Sequence, residues 1–404
     1  MSSNGPWIEH FPGNLIWSNA TLVTKGMAPY GAVALGEIDE VCERLRNRQN
    51  EPDAWREEWC AMGSRLEQAA DKAAAEGHQM TAGDYYLRAG MYYFTGERFI
   101  YPGEQKRETG RKAIECQTKG LLRRYPNIEK VEVPYEGSAP ERGAGAPESG
   151  GWDRKGALSA LFMKAPGASG RAPTVVVFDG MDNCKEMSVL FAGLEFAARG
   201  FHTLAIDGPG QGESLRLRGL YARHDYEVPG AAAYDYVAAR PDVDPKKVVV
   251  MGYSFGGYYA SRIAAFEKRY AAGVAMSALH WDLAGWQREI KRRQEADPKA
   301  TPQSAFHFRW IMGCLDDGDA AIRKAERFSL VDVAPRIACP FLIVHAGEDR
   351  VVPVASARKL HEAVGSKRKH LKIFSAAEGG FYHAQADNRQ VGIDYIADWI
   401  SENI

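Results

Sequence analysis

Apolar positions follow two different periods along the chain, and the change falls near residue 127. Between Glu37 and Arg124 they recur at helical spacing, as in Trp55, Trp59, Met62 and Leu66, followed by Ala69, Ala70 and Ala73. Residues three and four apart share a helix face, so this register predicts amphipathic helices with one buried stripe. Gly77, Gly83 and the Tyr101-Pro102-Gly103 turn interrupt it at helix-length intervals, which predicts three or four helices. From Ile128 onward, short β-branched runs alternate with amphipathic stretches. Strands are expected over 128–135, 157–164, 174–178, 201–206, 248–252, 273–277, 341–345 and 370–374, and helices near 186–199, 231–240, 256–267, 354–364 and 391–400. Continuous apolar strands separated by helices predict an α/β fold with a mainly parallel, doubly wound sheet covered on both faces. The Gly/Pro-rich stretch 137–156 should close an antiparallel hairpin between the first two strands at one edge. Residues 279–330, helical and charged, interrupt the series and are expected to form a cap over one end of the sheet.

Length agrees with this division, since 404 residues exceed one ordinary domain. The expected organisation is a helical amino-terminal domain over 1–127 and an α/β domain over 128–404 with the cap inserted at 279–330. Net charge is -1, from 51 Lys+Arg against 52 Asp+Glu, which argues against a nucleic-acid partner held mainly through phosphates. The six cysteines form no C-x-x-C pair, so neither a zinc-finger spacing nor a disulfide framework is present. The first residues lack the basic and apolar regions of a secretory signal, and no run approaches the 18 or so apolar residues of a membrane helix. The expected protein is cytoplasmic and soluble, with no membrane partner.

The strongest chemical signal is Gly252-Tyr253-Ser254-Phe255-Gly256-Gly257, between the apolar run Val248-Val249-Val250-Met251 and a helical stretch. Strand, tight turn, helix is the setting of a nucleophile elbow, where small flanking residues avoid a clash and the turn exposes the serine hydroxyl. A serine hydroxyl needs a base, and the base needs an acid to fix its tautomer, in the chain order Ser, acid, His. The loop after strand 341–345 reads Ala346-Gly347-Glu348-Asp349-Arg350-Val351-Val352-Pro353, which offers Asp349 as the acid. Glu348 is its rival, and Asp349 could instead cap the helix after Pro353. Of ten histidines, His383 alone follows the last expected strand in a loop ahead of the terminal helix, where the base belongs. His345 reads as a core residue, His361 and His370 as surface positions, and His280 and His307 as structural members of the cap.

Acyl chemistry also needs donors facing the developing oxyanion. One is the Phe255 amide at the start of the elbow helix. The other should come from Asp179-Gly180-Met181-Asp182-Asn183 after strand 174–178, where Gly180 permits close backbone approach and the Met181 amide is favoured. Asp207-Gly208-Pro209-Gly210-Gln211-Gly212-Glu213-Ser214 imitates a nucleotide loop, but the third glycine of G-x-G-x-x-G falls on Glu213 and the match fails. No metal and no cofactor are expected. The basic run Arg288, Lys291, Arg292 and Arg293 reads as a solvated helix face, and the tyrosines around Tyr92 and Tyr93 as either helix packing or the lining of a substrate cavity.

Gly-Tyr-Ser-Phe-Gly-Gly, Asp-Gly-Pro-Gly-Gln-Gly-Glu-Ser and Gly-Glu-Asp-Arg-Val-Val-Pro, in this order, resemble the α/β-hydrolase superfamily. Tyr86-Leu-Arg-Ala-Gly-Met-Tyr-Tyr-Phe94, Lys106-Arg107 and the stretch 128–137 resemble one group within it: 2,6-dihydroxypseudooxynicotine hydrolase, the fungal polyketide-shortening hydrolases of melanin synthesis and the fermentation-respiration switch esterase. The resemblance implies Ser254 as nucleophile, Asp349 as acid, His383 as base and 180–182 as oxyanion loop, with a helical domain and a cap enclosing the site. It implies hydrolysis of a carbon–carbon bond beside a ketone, with a carboxylesterase as the alternative and a non-catalytic binding protein as a third reading. It also places an acidic residue beyond the strand after the elbow helix, for which Asp282 is the nearest match. Gly380-Phe381-Tyr382-His383 departs from the group by separating glycine and histidine with two aromatics. The expected partner is a small carbonyl substrate bordered by Gly180, Asp182, Tyr92, Tyr93, Trp281 and Asp282, and the expected assembly is a homodimer.

Overall fold

The computed structural model describes residues 8–49, 51, 53–136, 156–278, 281–296 and 305–404. They form two compact units, Met1–Ile128 and Glu129–Ile404. Residues 137–155 of the expected hairpin turn, His280 and parts of the expected cap lie outside the described residues.

The first unit contains α1 (Leu15–Lys25), α2 (Leu35–Leu45), α3 (Ala54–Ala75), α4 (Gln79–Glu97) and α5 (Glu104–Arg124). Helix α1 lies ahead of the stretch whose period predicted helices. Trp17, Ser18, Ala20, Thr21, Leu22, Thr24 and even Lys25 are all buried, so it has little polar face to reveal a period. It starts where the Asn14 side chain accepts the Trp17 amide at 3.1 Å. The core of the unit is a chain of rings, Phe11, Trp17, Trp55, Trp59 and Tyr92, with successive centroids 5.1–5.7 Å apart. Helices α4 and α5 touch at the backbone. A Cβ on Gly90 would sit 2.6 Å from the Gln117 nitrogen, and one on Gly120 would sit 2.7 Å from the Leu87 nitrogen.

The second unit carries an eight-stranded sheet: β1 (Ile128–Pro134), β2 (Ala157–Met163), β3 (Ala172–Phe178), β4 (His202–Ile206), β5 (Val243–Tyr253), β6 (Ala272–Met276), β7 (Phe341–Ala346) and β8 (Lys369–Phe374). Their order is β1-β2-β4-β3-β5-β6-β7-β8. Strand β2 is antiparallel to β4, and every pairing from β4 to β8 is parallel. The central runs Val175–Phe178, Val248–Met251 and Phe341–Val344 are wholly buried because helices cover both faces. Those helices are α6 (Lys185–Ser188), continued through a π-helical turn (Val189–Gly193) into α7 (Leu194–Ala198), then α8 (Gly212–Arg216), α9 (Glu227–Ala238) and α10 (Phe255–Phe266). Next come α11 (Leu283–Ala296), α12 (Ala305–Ile311) and α13 (Gly318–Ala325), all inserted between β6 and β7, followed by α14 (Val354–Ala363) and α15 (Arg389–Asn403). This is the α/β-hydrolase fold. The chain leaves β3 towards β4 on one side and enters β5 on the other, so a switch point opens between the carboxyl ends of β3 and β5, where Phe178 pairs with Gly252. No helix among the described residues is long and apolar enough to cross a membrane.

In an exposed helix interior, Gly→Ala raises stability by about 1 kcal/mol. At Gly120 the opposite sign is expected, because the new methyl group meets the backbone of α4: Gly120→Ala should lower stability by about 1–3 kcal/mol, read as a fall in the denaturant midpoint of the full chain.

Candidate active site

Strand β5 ends at Tyr253, and α10 starts at Phe255, so Ser254 makes the entire turn. Its backbone sits at φ 55°, ψ -121°, a region that non-glycine residues rarely occupy and that persists only when the surroundings enforce it. Two features do so. The Ser254 amide donates to the Met276 carbonyl of β6 at 2.8 Å, and the glycines on either side leave no other path. A Cβ on Gly252 would lie 1.9 Å from the Gly256 carbonyl oxygen, and one on Gly256 would lie 2.3 Å from the Phe178 carbonyl oxygen.

The Ser254 hydroxyl lies 2.8 Å from His383 Nε2, and His383 Nδ1 lies 2.7 Å from Asp349 Oδ2. The structure thus brings together three residues that are 34 to 129 positions apart in sequence. Asp349 has a fully buried side chain whose Oδ1 accepts the Val351 and Val352 amides, both at 2.8 Å. Burial alone would raise its pKa; the charge and hydrogen bond of His383, with His345 and the Val352 amide, outweigh it and hold Asp349 below its ordinary value. Glu348 is exposed and contributes its amide to the Phe381 carbonyl. His345 is a buried strand residue bonded to the Val352 carbonyl at 3.0 Å.

The histidine loop absorbs its additional aromatic by wrapping around one carboxylate. Asp387 accepts the amides of Gly380, Phe381 and Tyr382 at 2.8, 3.3 and 3.0 Å. Beyond His383 the chain takes two consecutive left-handed residues, Ala384 (φ 51°) and Gln385 (φ 50°), and the Ala384 amide donates to the Ser277 hydroxyl at 3.1 Å. Ser277 itself has φ 48° at the end of β6. Asp387 and Ser277 were not singled out from the sequence, because their work is to accept backbone amides, a role no residue spacing marks.

At the end of β3, a Cβ on Gly180 would lie 3.2 Å from Ser254 Cβ, so the backbone carrying Met181 passes beside the serine. Phe255 opens α10, where an amide has no intrahelical acceptor. Below this loop lies an ionic cluster with no exposed side chain: Lys185 Nζ is 3.0 Å from Asp207, 3.0 Å from Glu213 and 2.7 Å from Glu186. Asp207 also accepts the amides of Lys185 and Glu213, both at 2.8 Å, which ties the first residue of α6 to the start of α8. This explains the glycine-rich stretch 207–214. Gly212 has no room for a Cβ against the Asp207 carboxylate, and Gln211 accepts the Gly208 amide while donating to the Asp179 carbonyl. The glycines fold the loop around its own aspartate. Burial would raise the pKa of Glu213, but Lys185, Lys130 and Arg218 outweigh it and hold it far below the ordinary carboxylate range.

The remaining expected site residues each have surroundings of their own. Tyr92 and Tyr93 lie in the packed interior of the helical unit, where their hydroxyls donate to Glu37 (2.8 Å) and Glu67 (2.6 Å). Packing of helix on helix accounts for both. Asp282 is exposed and caps α11, accepting the Gly285 amide at 2.8 Å, and Trp281 beside it is half-buried. Asp182 lies 2.7 Å from Nε2 of His307, which projects from α12. His307 thus links the inserted helices to the residue after Met181, a connection its sequence neighbours do not advertise. Lys291, Arg292 and Arg293 form exposed ion pairs with Asp319 and Glu289, and Arg288 pairs with Glu326. Among the described residues no cluster of His, Cys, Asp or Glu could hold a metal ion, and the six cysteines are free.

Removing Lys185 would strand the buried carboxylates of Asp207 and Glu186, while Glu213 keeps Arg218 at 2.6 Å. Lys185→Met is expected to lower stability by about 3–5 kcal/mol at neutral pH. In the native protein Glu213 titrates below its unfolded value, so its stabilisation is full above the ordinary carboxylate range and fades as pH falls through it. In the variant the sign reverses: protonation discharges the stranded groups, and the deficit should shrink as pH approaches about 4. Denaturant midpoints of both proteins across this range check it.

Comparison with known proteins agrees with the fold. A hydrolase from a Fusarium species, LUC6, is 28% identical over 395 residues, covering 89% of this chain and 90% of that protein. The 2,6-dihydropseudooxynicotine hydrolase of Paenarthrobacter nicotinovorans is 24% identical over 319 residues, covering 79% of this chain and 77% of its own length. The crystal structure of 2,6-dihydroxy-pseudo-oxynicotine hydrolase superposes with a TM-score of 0.74 at 22% identity, covering 94% of this chain and 95% of that one, a likeness of fold. The family model described as prolyl oligopeptidase matches residues 190–404, more than half of the chain and including Ser254, Asp349 and His383. On these grounds the chain belongs to the prolyl oligopeptidase family of hydrolases, built on an α/β-hydrolase fold.

Proposed function

We propose that this protein is a serine hydrolase that cleaves a carbon–carbon bond beside a ketone, with Ser254 as nucleophile, His383 as general base and acid, and Asp349 as the residue that orients His383. The observation that carries this reading is the relay of 2.8 and 2.7 Å from Ser254 through His383 to Asp349 at an enforced backbone turn. His383 Nε2 takes the hydroxyl proton as Ser254 Oγ bonds to the substrate carbonyl carbon. The resulting oxyanion rests on the amides of Met181 and Phe255. When it collapses, the carbon–carbon bond breaks and its electron pair leaves as an enolate or electron-rich aryl carbanion, which takes the proton back from His383. Water, deprotonated by His383, then attacks the acyl enzyme and releases a carboxylic acid and Ser254.

The choice of a ketone rests on the resemblance carried by the sequence motifs of both halves of the chain. A β-diketone, an aryl ketone or a polyketide-like ketone meets the need for a leaving carbanion stabilised by a second carbonyl or a phenol. A carboxylesterase would use the same three residues, because an alkoxide leaving group makes smaller demands on the acid.

Two experiments test the reading. On a panel of β-diketones, aryl ketones and p-nitrophenyl esters, the native protein should hydrolyse ketones, and Ser254→Ala should lose about 10⁴-fold or more of kcat. Ester turnover without ketone cleavage would remove the carbon–carbon assignment, and an active Ser254→Ala would remove the nucleophile. Asp387→Ala releases three amides of the histidine loop, and misplacing a base by about 1 Å can cost 100-fold. The variant should show a kcat about 10–100-fold lower with KM changed far less, measured by steady-state kinetics.

A further inference from the structure

Asp179 is the last residue before Gly180 and Met181, and its carboxyl group is completely buried. Oδ1 has two donors. The Ser188 hydroxyl donates to it, and the hydroxyl of Tyr253, the residue immediately before Ser254, donates at 3.1 Å. These two hydroxyls are also 3.1 Å from each other, closing a triangle between the end of β3, the elbow and α6. Oδ2 is different: among the described residues no donor reaches it. The carboxyl group as a whole interacts with Asp207, whose carboxylate is already engaged by Lys185. An ionised carboxylate with one oxygen unpartnered in a dry interior, beside a second carboxylate, combines two costs that proteins avoid, desolvation and like-charge repulsion. Protonating Oδ2 would remove both, with Asp207 as the neighbouring acceptor for the new O–H.

We propose that Asp179 is a positioning residue that works as a neutral carboxylic acid: Oδ2–H donates to Asp207, and Oδ1 holds Tyr253 and Ser188, fixing the Gly180–Met181 loop against the nucleophile elbow. This deepens the hydrolase reading and rests on it. The surroundings agree. Burial, followed by the charge of Asp207, drives the acid well above its ordinary pKa, against the opposing hydrogen bonds from Ser188 and Tyr253. The other titratable groups around it are the phenols of Tyr253 and Tyr226, the Cys184 thiol, and the Lys185, Glu186 and Glu213 cluster behind Asp207. Among the described residues the one cation paired with Asp207, Lys185, is shared with two glutamates, and no described ion pair is left to neutralise an ionised Asp179. A neutral acid also suits the chemistry, because a negative charge two residues before the proposed Met181 donor would oppose the charge it is meant to stabilise.

The test is infrared difference spectroscopy on the full-length protein at neutral pH, without substrate, together with kinetics. The native protein should show the carbonyl band of a protonated carboxyl group that shifts in D2O and disappears in Asp179→Asn. The amide reproduces both roles, accepting through its oxygen and donating to Asp207 through its nitrogen, so Asp179→Asn should restore kcat to within about threefold with an unaltered pH profile. Asp179→Ala, which cannot tether the loop, should lower kcat about 100-fold, the size of losing an oxyanion donor, with KM changed little. Absence of the band from the native protein overturns the proposal without any variant, as does a folded Asp179→Asn as inactive as Asp179→Ala. Because the band is read without turnover, its loss would leave the hydrolase reading standing, whereas an active Ser254→Ala would remove that reading and leave the acid in place.

Discussion

The candidate site depends on how closely the carboxyl end of β5 approaches that of β3. Gly256 sits where a Cβ would lie 2.3 Å from the Phe178 carbonyl and 2.5 Å from that of Asp179. The first turn of α10 is therefore pressed directly onto the backbone of the neighbouring strand, with no side chain between them. This contact leaves Ser254 only one conformation, brings the Gly180 backbone to the serine, and puts the first amide of α10 beside the loop that carries Met181. A parallel pairing that runs unbroken from Thr174 and Val248 to Phe178 and Gly252 sets the register that makes it possible.

Around that contact the protein uses buried and half-buried carboxylates as anchors for backbone. Asp207 gathers the amides that open α6 and α8, Asp387 gathers three amides of the histidine loop, and Asp349 gathers two while also holding His383. An amide dipole aimed at a carboxylate gives a stronger bond than one aimed at a neutral oxygen, and it fixes direction as well as distance. The loops after β4, β7 and β8 thus each have their own charged centre. The left-handed residues Ser254, Ser277 and Ala384 fall where those loops meet one another: Ser254 donates its amide to the end of β6, and Ser277 accepts the amide that follows His383. Strain of this kind persists when several independent bonds define the same atoms.

The arrangement distributes the site across five strand ends. The loop of Gly180 and Met181 follows β3, Ser254 follows β5, Ser277 follows β6, Asp349 follows β7 and His383 follows β8. None of these residues is near another in sequence, yet the parallel sheet delivers them all to one edge. The helices inserted between β6 and β7 reach the same edge through His307 and Asp182, which gives the insertion a contact with the loop beside the serine.

What the sequence determined by itself was local and periodic. Apolar runs such as Val248–Met251 and Phe341–Val344 marked strands because a parallel sheet buries both faces, and Gly-x-Ser-x-Gly marked the elbow because only small residues fit that turn. Chain order was enough to select Asp349 and His383 as partners for Ser254, since the fold fixes which strand ends are neighbours. Helix α1 escaped because its polar face is buried too, leaving no amphipathic period. Tertiary structure alone decided the rest. Tyr92 and Tyr93, in a string of aromatics, read as either helix packing or cavity lining, and only the fold shows their hydroxyls closing on Glu37 and Glu67 inside the helical unit. The stretch 207–214 looks like an anion-binding loop, and it proves to bind a carboxylate of its own chain together with Lys185. The roles of Asp179, Ser277 and Asp387 are set by backbone amides, hydroxyls and a second carboxyl group brought to them by the fold. Such partners are distant in sequence and carry no residue-type signature, so no spacing could have announced them.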